Sequence, residues 1–540
     1  MPLTLSVPAI SARNSAEVEL QPQKVKKWLE DLPLLNVAET SRKLFSTLSV
    51  HNRVEFDDKL RAELLELFRI PVIQTSRELS KQYIGLPLPL SDKHKTIAEQ
   101  HRQFQMEMAN GYKRIVLNSA GKPEIQPKDQ ACAIQRSIRY LTGALVVSYE
   151  TYSPYPQGTW KEIHALYTHA EKLGLTQAEI DDPLNKTVTK SSIAHAYLQA
   201  LLLDFSDPYH LPPRMIDKIH HYLDRWATLA NLTDIAPIYN PTCQFLIDRE
   251  SDRAGIAYAA NTELKQSENY RLLNTVGLAR QAHAQLTTLM SGKLPAPDGL
   301  YENFFKEHGE ELLKRLISAW GVNPQRSFRR SEPTRHQIQM AAGLDAINYW
   351  INGGQKFVVS STFVGPMPQR TQISAEVYKP ANMPLTGNEL STWDVEDESA
   401  GGLSLTNSGQ TGIRVHVGEL IITRTPGEGN PWSVGVIRWA KSEGSSSVEI
   451  GVQYLAPSAE PMVIKTVNED KKESDFLPAL LLPEIKPLKR PPTLITHRGV
   501  YKPGTEIYMD NSYRLYKIIP TALIEASHSF EQFGFDILNT

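Results

Sequence analysis

The chain has 540 residues, 58 Lys and Arg against 60 Asp and Glu, a formal charge of −2 and 41% hydrophobic side chains. That balance excludes a disordered polymer, a collagen-like repeat and a disulfide-stapled miniprotein, and it leaves no global positive field to hold long nucleic acid. At about 100–200 residues per domain, the length allows roughly three to four domains.

Residues 1–23 contain no continuous apolar segment and no basic start, so they read as a flexible tail rather than a signal peptide. From Lys24 to Trp320 the apolar spacing is helical. Val25, Trp28, Leu29 and Leu32 fall at i, i+3, i+4 and i+7, and Leu60, Leu64, Leu65, Leu67 and Phe68 repeat that face. Residues 92–117 predict one long helix, and 160–173 another that Gly174 stops. Residues 191–203 and 213–232 continue the series, and 261–289 predict a single long amphipathic helix. Proline-rich breakers at 154–156, 181–183, 207–213 and 295–299 separate these segments. No repeat period holds along them.

From Val322 the pattern changes to short strands. Segments 337–340, 356–363, 392–396, 403–405, 412–417, 420–423, 432–439 and 447–455 are strand-like, with alternation plain in VGVIRWA and VEIGVQYL. Gly-rich turns lie between them, which argues for a small antiparallel barrel or sandwich. After Pro457 come a polar stretch at 470–475, a Pro-rich one at 483–492, and further strands to the end. These are either extra strands of the same barrel or a second, related β module. The expected division is a tail (1–23), an all-helical domain (24–320), a β-barrel domain (321–470) and a C-terminal β extension or second small β module (471–540).

The common catalytic and nucleotide-binding motifs are absent from the sequence. No GxxxxGK[ST], HExxH, GxSxG or GxGxxG occurs. Cys132 and Cys243 are the only cysteines and form no CxxC, which argues against thiolate zinc and suits a reducing cytoplasm. His164, His169, His210, His220 and His221 read as packed or surface histidines on helices rather than as metal ligands. No catalytic constellation is found, so the expectation is a protein that is not an enzyme and carries no metal. No run of 18 apolar residues occurs, so no membrane span is expected.

One constellation stands out. Arg326, Arg329, Arg330 and Arg335 fall within ten residues where the helical half gives way to the β half, and the strand text WDVEDESAGGLSL follows later. Arg326-xxx-Arg330 followed by Asp397-x-Ser399-xx-Gly402 resembles the RxxxR and [D/N]xSxxG motifs of the PilZ domain family, bacterial receptors for cyclic di-GMP. The resemblance covers about 321–460. It implies a six-stranded antiparallel barrel, with Arg326, Arg330, Asp397, Ser399 and Gly402 as ligand residues, Arg329 and Arg335 in support, and cyclic di-GMP as the ligand rather than any cofactor. The motifs stand about 70 residues apart, more than the family's usual spacing, so 348–354 and 366–387 predict an insertion or added strands.

The chemistry suits these residue types. A guanidinium gives two parallel hydrogen bonds to phosphate or to guanine O6 and N7, and its plane stacks on a purine. The Asp397 carboxylate can accept from guanine N1–H and N2–H. Ser399 can donate or accept beside it, and Gly402 permits a turn or a close backbone approach. The expected function is a cytoplasmic cyclic di-GMP receptor, with the ligand at the junction of the helical and β domains and the helical domain relaying the signal to a protein partner. The alternative is an adaptor whose PilZ-like barrel does not bind nucleotide.

Overall fold

The computed structural model describes residues 3–11, 18–119, 126–235, 240–258, 268–306, 308–321, 336–359, 390–408, 414–427, 429–443, 447–466, 474–486 and 489–538. The expected strand at 412–417 lies partly outside them, as does half of 356–363, and 366–387 lies wholly outside. The chain forms two compact units. The first comprises nearly all of residues 1–325; the second comprises 326–540 together with 87–89 and 210–212.

The helical unit begins with α1 (Pro22–Glu30), α2 (Val37–His51), α3 (Asp58–Ser80), α4 (Asp92–Ser119) and α5 (Pro127–Glu150). α6 (Thr159–Lys172), strands β1 (Ile180–Asp181) and β2 (Lys190–Ser191), α7 (Ile193–Asp204) and α8 (Met215–Trp226) follow. Side-chain caps start several of these helices: Asn36 accepts from Glu39 N, Asp57 from Leu60 N and Ser192 from His195 N, each at 3.1–3.2 Å. α7 is apolar all round, IAHAYLQALLL, and every residue from Ile193 to Leu203 is buried. It is the centre of the unit and packs against α5, α6 and α8.

The breaker at 181–183 lies beyond the end of α6, at β1, and carries a buried charge. Asp182 is buried and receives Arg69 at 2.6 Å and Arg136 at 2.7 Å, while Glu66 pairs with Arg69 at 2.8 Å. Each buried charge has an opposite partner, which offsets its desolvation. Residues 3–11, expected as part of a tail, run along this unit: Ser6 O accepts from Lys113 Nζ at 2.6 Å, Pro8 O from Arg114, and Ser11 N donates to Arg53 O at 2.7 Å.

The unit is not purely helical. β3 (Asn231–Thr233), β4 (Gln244–Asp248), β5 (Ile256–Ala257) and β6 (Tyr270–Asn274) form a four-stranded sheet in the order β3-β6-β4-β5. The expected helix over 261–289 is therefore corrected: helix α9 covers only Val276–Met290, and β6 precedes it. Pairing with β4 satisfies the backbone of YRLLN, Leu272 and Leu273 are buried, and the Asn274 carboxamide accepts from Val276 N at 3.0 Å where the helix starts. Similarly, the tail of the expected helix over 213–232 is a 3₁₀ turn and β3. α10 (Gly309–Gly321) closes the unit, its Trp320 fully buried and donating from Nε1 to Leu202 O at 3.1 Å. Among the described residues, no helix is long and apolar enough to cross a membrane.

The second unit is two closed barrels. The first holds β7 (Gln337–Ala342), β8 (Ser391–Ser399), β9 (Gly402–Ser408), β10 (Leu420–Arg424), β11 (Ser433–Glu443) and β12 (Ser447–Ala456), in the cyclic order β10-β11-β12-β9-β8-β7. Helix α11 (Leu344–Ile351) follows β7. The second barrel holds β13 (Glu460–Thr466), β14 (Leu477–Leu482), β15 (Thr493–Thr496), β16 (Ile507–Asp510), β17 (Leu515–Ala526) and β18 (Glu531–Ile537), in the order β13-β14-β15-β18-β17-β16. Counted from its own first strand, each barrel has the order 1-2-3-6-5-4, so the C-terminal strands form a second module with the topology of the first. That module starts at Glu460, so β13 joins it from within the expected 321–470 domain.

The barrels share a core. Leu344 and Ile347 of α11, Leu420 and Ile422 of β10 and Val434 and Val436 of β11 pack with Leu480, Leu482, Ile495 and Phe530 of the second barrel. The buried Asn348 amide donates to Met462 O at 2.7 Å and to Ala479 O at 3.0 Å. The insertion expected around 348–354 is thus the end of α11 and its following turn, and the helix joins the two barrels.

Candidate functional site

The motif residues Asp397, Ser399 and Gly402 lie on one hairpin, β8–β9. Ser399 pairs with Gly402 across a two-residue turn, and the Ser399 hydroxyl donates to Gly402 O at 3.2 Å. The turn is tied to β12, where Tyr454 N donates to Gly401 O at 3.0 Å. A β-bulge at Glu396 shifts the register, so Asp397 stands opposite Ser404 rather than Leu403. Trp393 and Val395 point into the barrel, while Asp397 and Ser399 are half-exposed.

The register then fixes the neighbours. Asp397 faces Ser404 on β9, Ser404 faces Gly451 on β12, and Gly451 faces Trp439 on β11. Along the next row, Ser399 faces Gly402 and Gly402 faces Gln453. These rows lie outside the barrel, since the alternating residues Leu403, Ile450 and Val452 are buried in it. The Trp439 indole lies across Gly451, where an added Cβ would come within 1.8 Å of Nε1. The Ser404 hydroxyl donates to Glu449 Oε1 at 3.4 Å.

Gly402 has a defined steric role. A Cβ there would sit 2.0 Å from Val452 O, so glycine permits the close pairing of β9 with β12. The close approach envisaged from the sequence is therefore made by the barrel's own backbone. At the hairpin end of β12, burial and the Glu398 carboxylate, to which its hydroxyl is hydrogen-bonded, push the Tyr454 phenol up to about 12. It remains a donor at neutral pH.

Arg326, Arg329, Arg330 and Arg335 lie outside the described residues, which stop at Gly321 and resume at His336. The described chain resumes at His336, immediately before β7. His336 O accepts from Val395 N at 3.0 Å, and Gln337 Nε2 donates to Asp394 Oδ1 at 3.0 Å. β7 and β8 are antiparallel, so the chain enters β7 from the Asp397 end of β8.

Sequence reasoning missed two residues beside the hairpin. Arg438 Nε donates to Gln453 Oε1 at 2.7 Å, and its two terminal nitrogens bond Glu525 of β17 at 2.5 and 2.9 Å. Trp439 is the other. Both were visible only as strand text, because their relation to Asp397 comes from a register that crosses three strands.

His164 and Arg249 are structural. His164 is fully buried, with Nδ1 2.7 Å from the Tyr197 hydroxyl and Nε2 2.9 Å from Arg253 O, and burial lowers its pKa to about 4. Arg249, an isolated RxxxR match with Arg253, is buried against Glu171, Glu268 O and Asn269 O. Among the described residues, no cluster of three His, Cys, Asp or Glu side chains could hold a metal ion.

Comparisons with known proteins agree with this architecture. Residues 23–237 match the family described as cyclic-di-GMP receptor FimW, N-terminal domain. Residues 244–383 and 383–461 match its middle PilZ domain, a match that starts in the four-stranded sheet of the helical unit. Residues 462–538 match the FimW C-terminal beta-barrel domain. The chain is 24% identical over 596 aligned positions to the cyclic-di-GMP receptor FimW of Pseudomonas aeruginosa, covering 99% of this chain and 93% of that protein.

Proposed function

Because the chain belongs to the PilZ-domain family, with a helical region ahead of two barrels of one topology, we propose that it is a cyclic di-GMP receptor. The ligand sits on the outer face of the first barrel. Asp397 reads a guanine edge, Ser399 bonds beside it, and Gly402 keeps the hairpin tight. Arg326 and Arg330, with Arg329 and Arg335 in support, supply phosphate contacts and stacking planes from the segment that enters β7. The protein acts by binding rather than by catalysis, in the cytoplasm, and the helical unit carries the signal to a protein partner.

The observation that carries this reading is the placement of Asp397 and Ser399 together on one hairpin of a closed six-stranded barrel, at the end of β8 from which the arginine segment enters. The similarity to a receptor of that name over nearly the whole chain supports the ligand. Calorimetric titration with cyclic di-GMP tests it. Micromolar or tighter binding that Asp397→Asn weakens supports the receptor. Absence of both heat and thermal shift selects an adaptor with a silent barrel.

A further inference from the structure

We propose that Arg438 is a further ligand-contacting residue of this face, and that Glu525 of the second barrel is its positioning residue. The inference rests on the cyclic di-GMP reading above. It gives the C-terminal barrel a part in the site.

The placement comes from a defect in the ladder. The β11–β12 register shifts between Ile437 and Trp439, so Arg438 is the extra residue of a bulge. Its Nε reaches Gln453, which stands opposite Gly402, whose carbonyl accepts from Ser399. Adjacent strands lie about 4.8 Å apart; Arg438 stands three strands from Ser399 and its partner Gln453 two, so the guanidinium lies roughly two to three strand spacings from the Ser399 backbone, on the scale of one cyclic dinucleotide. The partner Glu525 stands next to a bulge, whose extra residue is Ile524, and is itself paired with Gln532. β17 shifts register between Leu523 and Glu525, and β17 is the fifth strand of its barrel as β11 is of the first.

The bonding determines what Arg438 can offer. Gln453 takes its Nε edge, and the Glu525 carboxylate forks onto both terminal nitrogens at 2.5 and 2.9 Å. The carboxylate also neutralises its charge locally. A guanidinium so held is a poor new partner for phosphate, but its plane is fixed and 30% of the side chain remains exposed. A fixed cationic plane suits the face of a purine. Guanine stacked there can present its edge towards Asp397, on the same outer face. Arg438 thus reads the base, and the arginines before β7 are left to the phosphates.

The test is calorimetry on the full chain, with cyclic di-GMP as probe and thermal melts alongside. Arg438→Lys keeps the charge and an ion pair with Glu525 but loses the plane; binding should weaken about tenfold with the salt dependence unchanged. The exchange variant Arg438→Glu with Glu525→Arg restores an ion pair between the barrels. It should melt near wild type and still bind about tenfold more weakly or worse. If both variants bind within about twofold of wild type, Arg438 is only an inter-barrel strut and the inference is overturned. If the wild type itself does not bind, the receptor reading fails first, and this inference with it.

Discussion

Gly402→Ala separates the two roles a glycine can have in this motif. The alanine Cβ would stand 2.0 Å from Val452 O, a backbone atom of β12 that no rotamer can move. A tolerable contact needs about 1 Å more, so β9 and β12 must part at the hairpin end of their ladder. Overpacking of this kind costs about 1–3 kcal/mol. Loss of one or two terminal ladder bonds, at about 0.5–1.5 kcal/mol each, spans about 0.5–3 kcal/mol, which overlaps it. For a unit of this size that is a melting shift of about 2–4 °C per kcal/mol. We expect urea and thermal unfolding of the β unit to show a loss of about 2 kcal/mol, and cyclic di-GMP binding to weaken because Ser399 and Asp397 ride on the displaced hairpin. A variant as stable as wild type within about 0.5 kcal/mol would show that β9 and β12 are not packed as described.

Arg326→Lys and Arg330→Lys should each weaken cyclic di-GMP binding at least about tenfold at fixed salt, since a charge-assisted hydrogen bond and a stacking plane are lost. Arg249→Lys should leave affinity untouched in the same titrations but lower the melting temperature of the helical unit, because Lys cannot replace the contacts to Glu171, Glu268 O and Asn269 O. His164, held neutral by burial with its pKa lowered to about 4, binds its proton more readily in the unfolded chain; its contribution to stability therefore falls as pH drops from about 6.5 towards 4. His164→Gln should be less stable at pH 7 but lose less on acidification, and parallel acid shifts of both proteins in urea melts would refute this. Asn348→Leu strips the donor from two buried carbonyls, Met462 O and Ala479 O, and should cost about 1–3 kcal/mol in urea unfolding of the β unit.

Local features were legible in the sequence and those set by register were not. The change from helical to alternating spacing near Trp320 marks the boundary between α10 and the barrel strands. VGVIRWA and VEIGVQYL are β11 and β12. The hairpin carrying Asp397, Ser399 and Gly402 could be read because its parts lie within six residues. The sheet of β3–β6 was missed because its strands are two to five residues long and YRLLN runs into a helix. α11 is eight residues inside a β region, too short for its periodicity to show. The bulge at Arg438 and its pairing with Glu525, 87 residues away, depend on which strands meet. The same holds for the shared strand order of the two barrels, since unlike sequences satisfy one ladder pattern.

Hydrogen exchange of the full chain with and without cyclic di-GMP tests the placement of the ligand most directly. Slowed exchange is expected in two segments together: 325–335, which carries the arginines, and 396–403, which carries the hairpin. Protection confined to the helical unit, with both segments unchanged at saturating ligand, would contradict it.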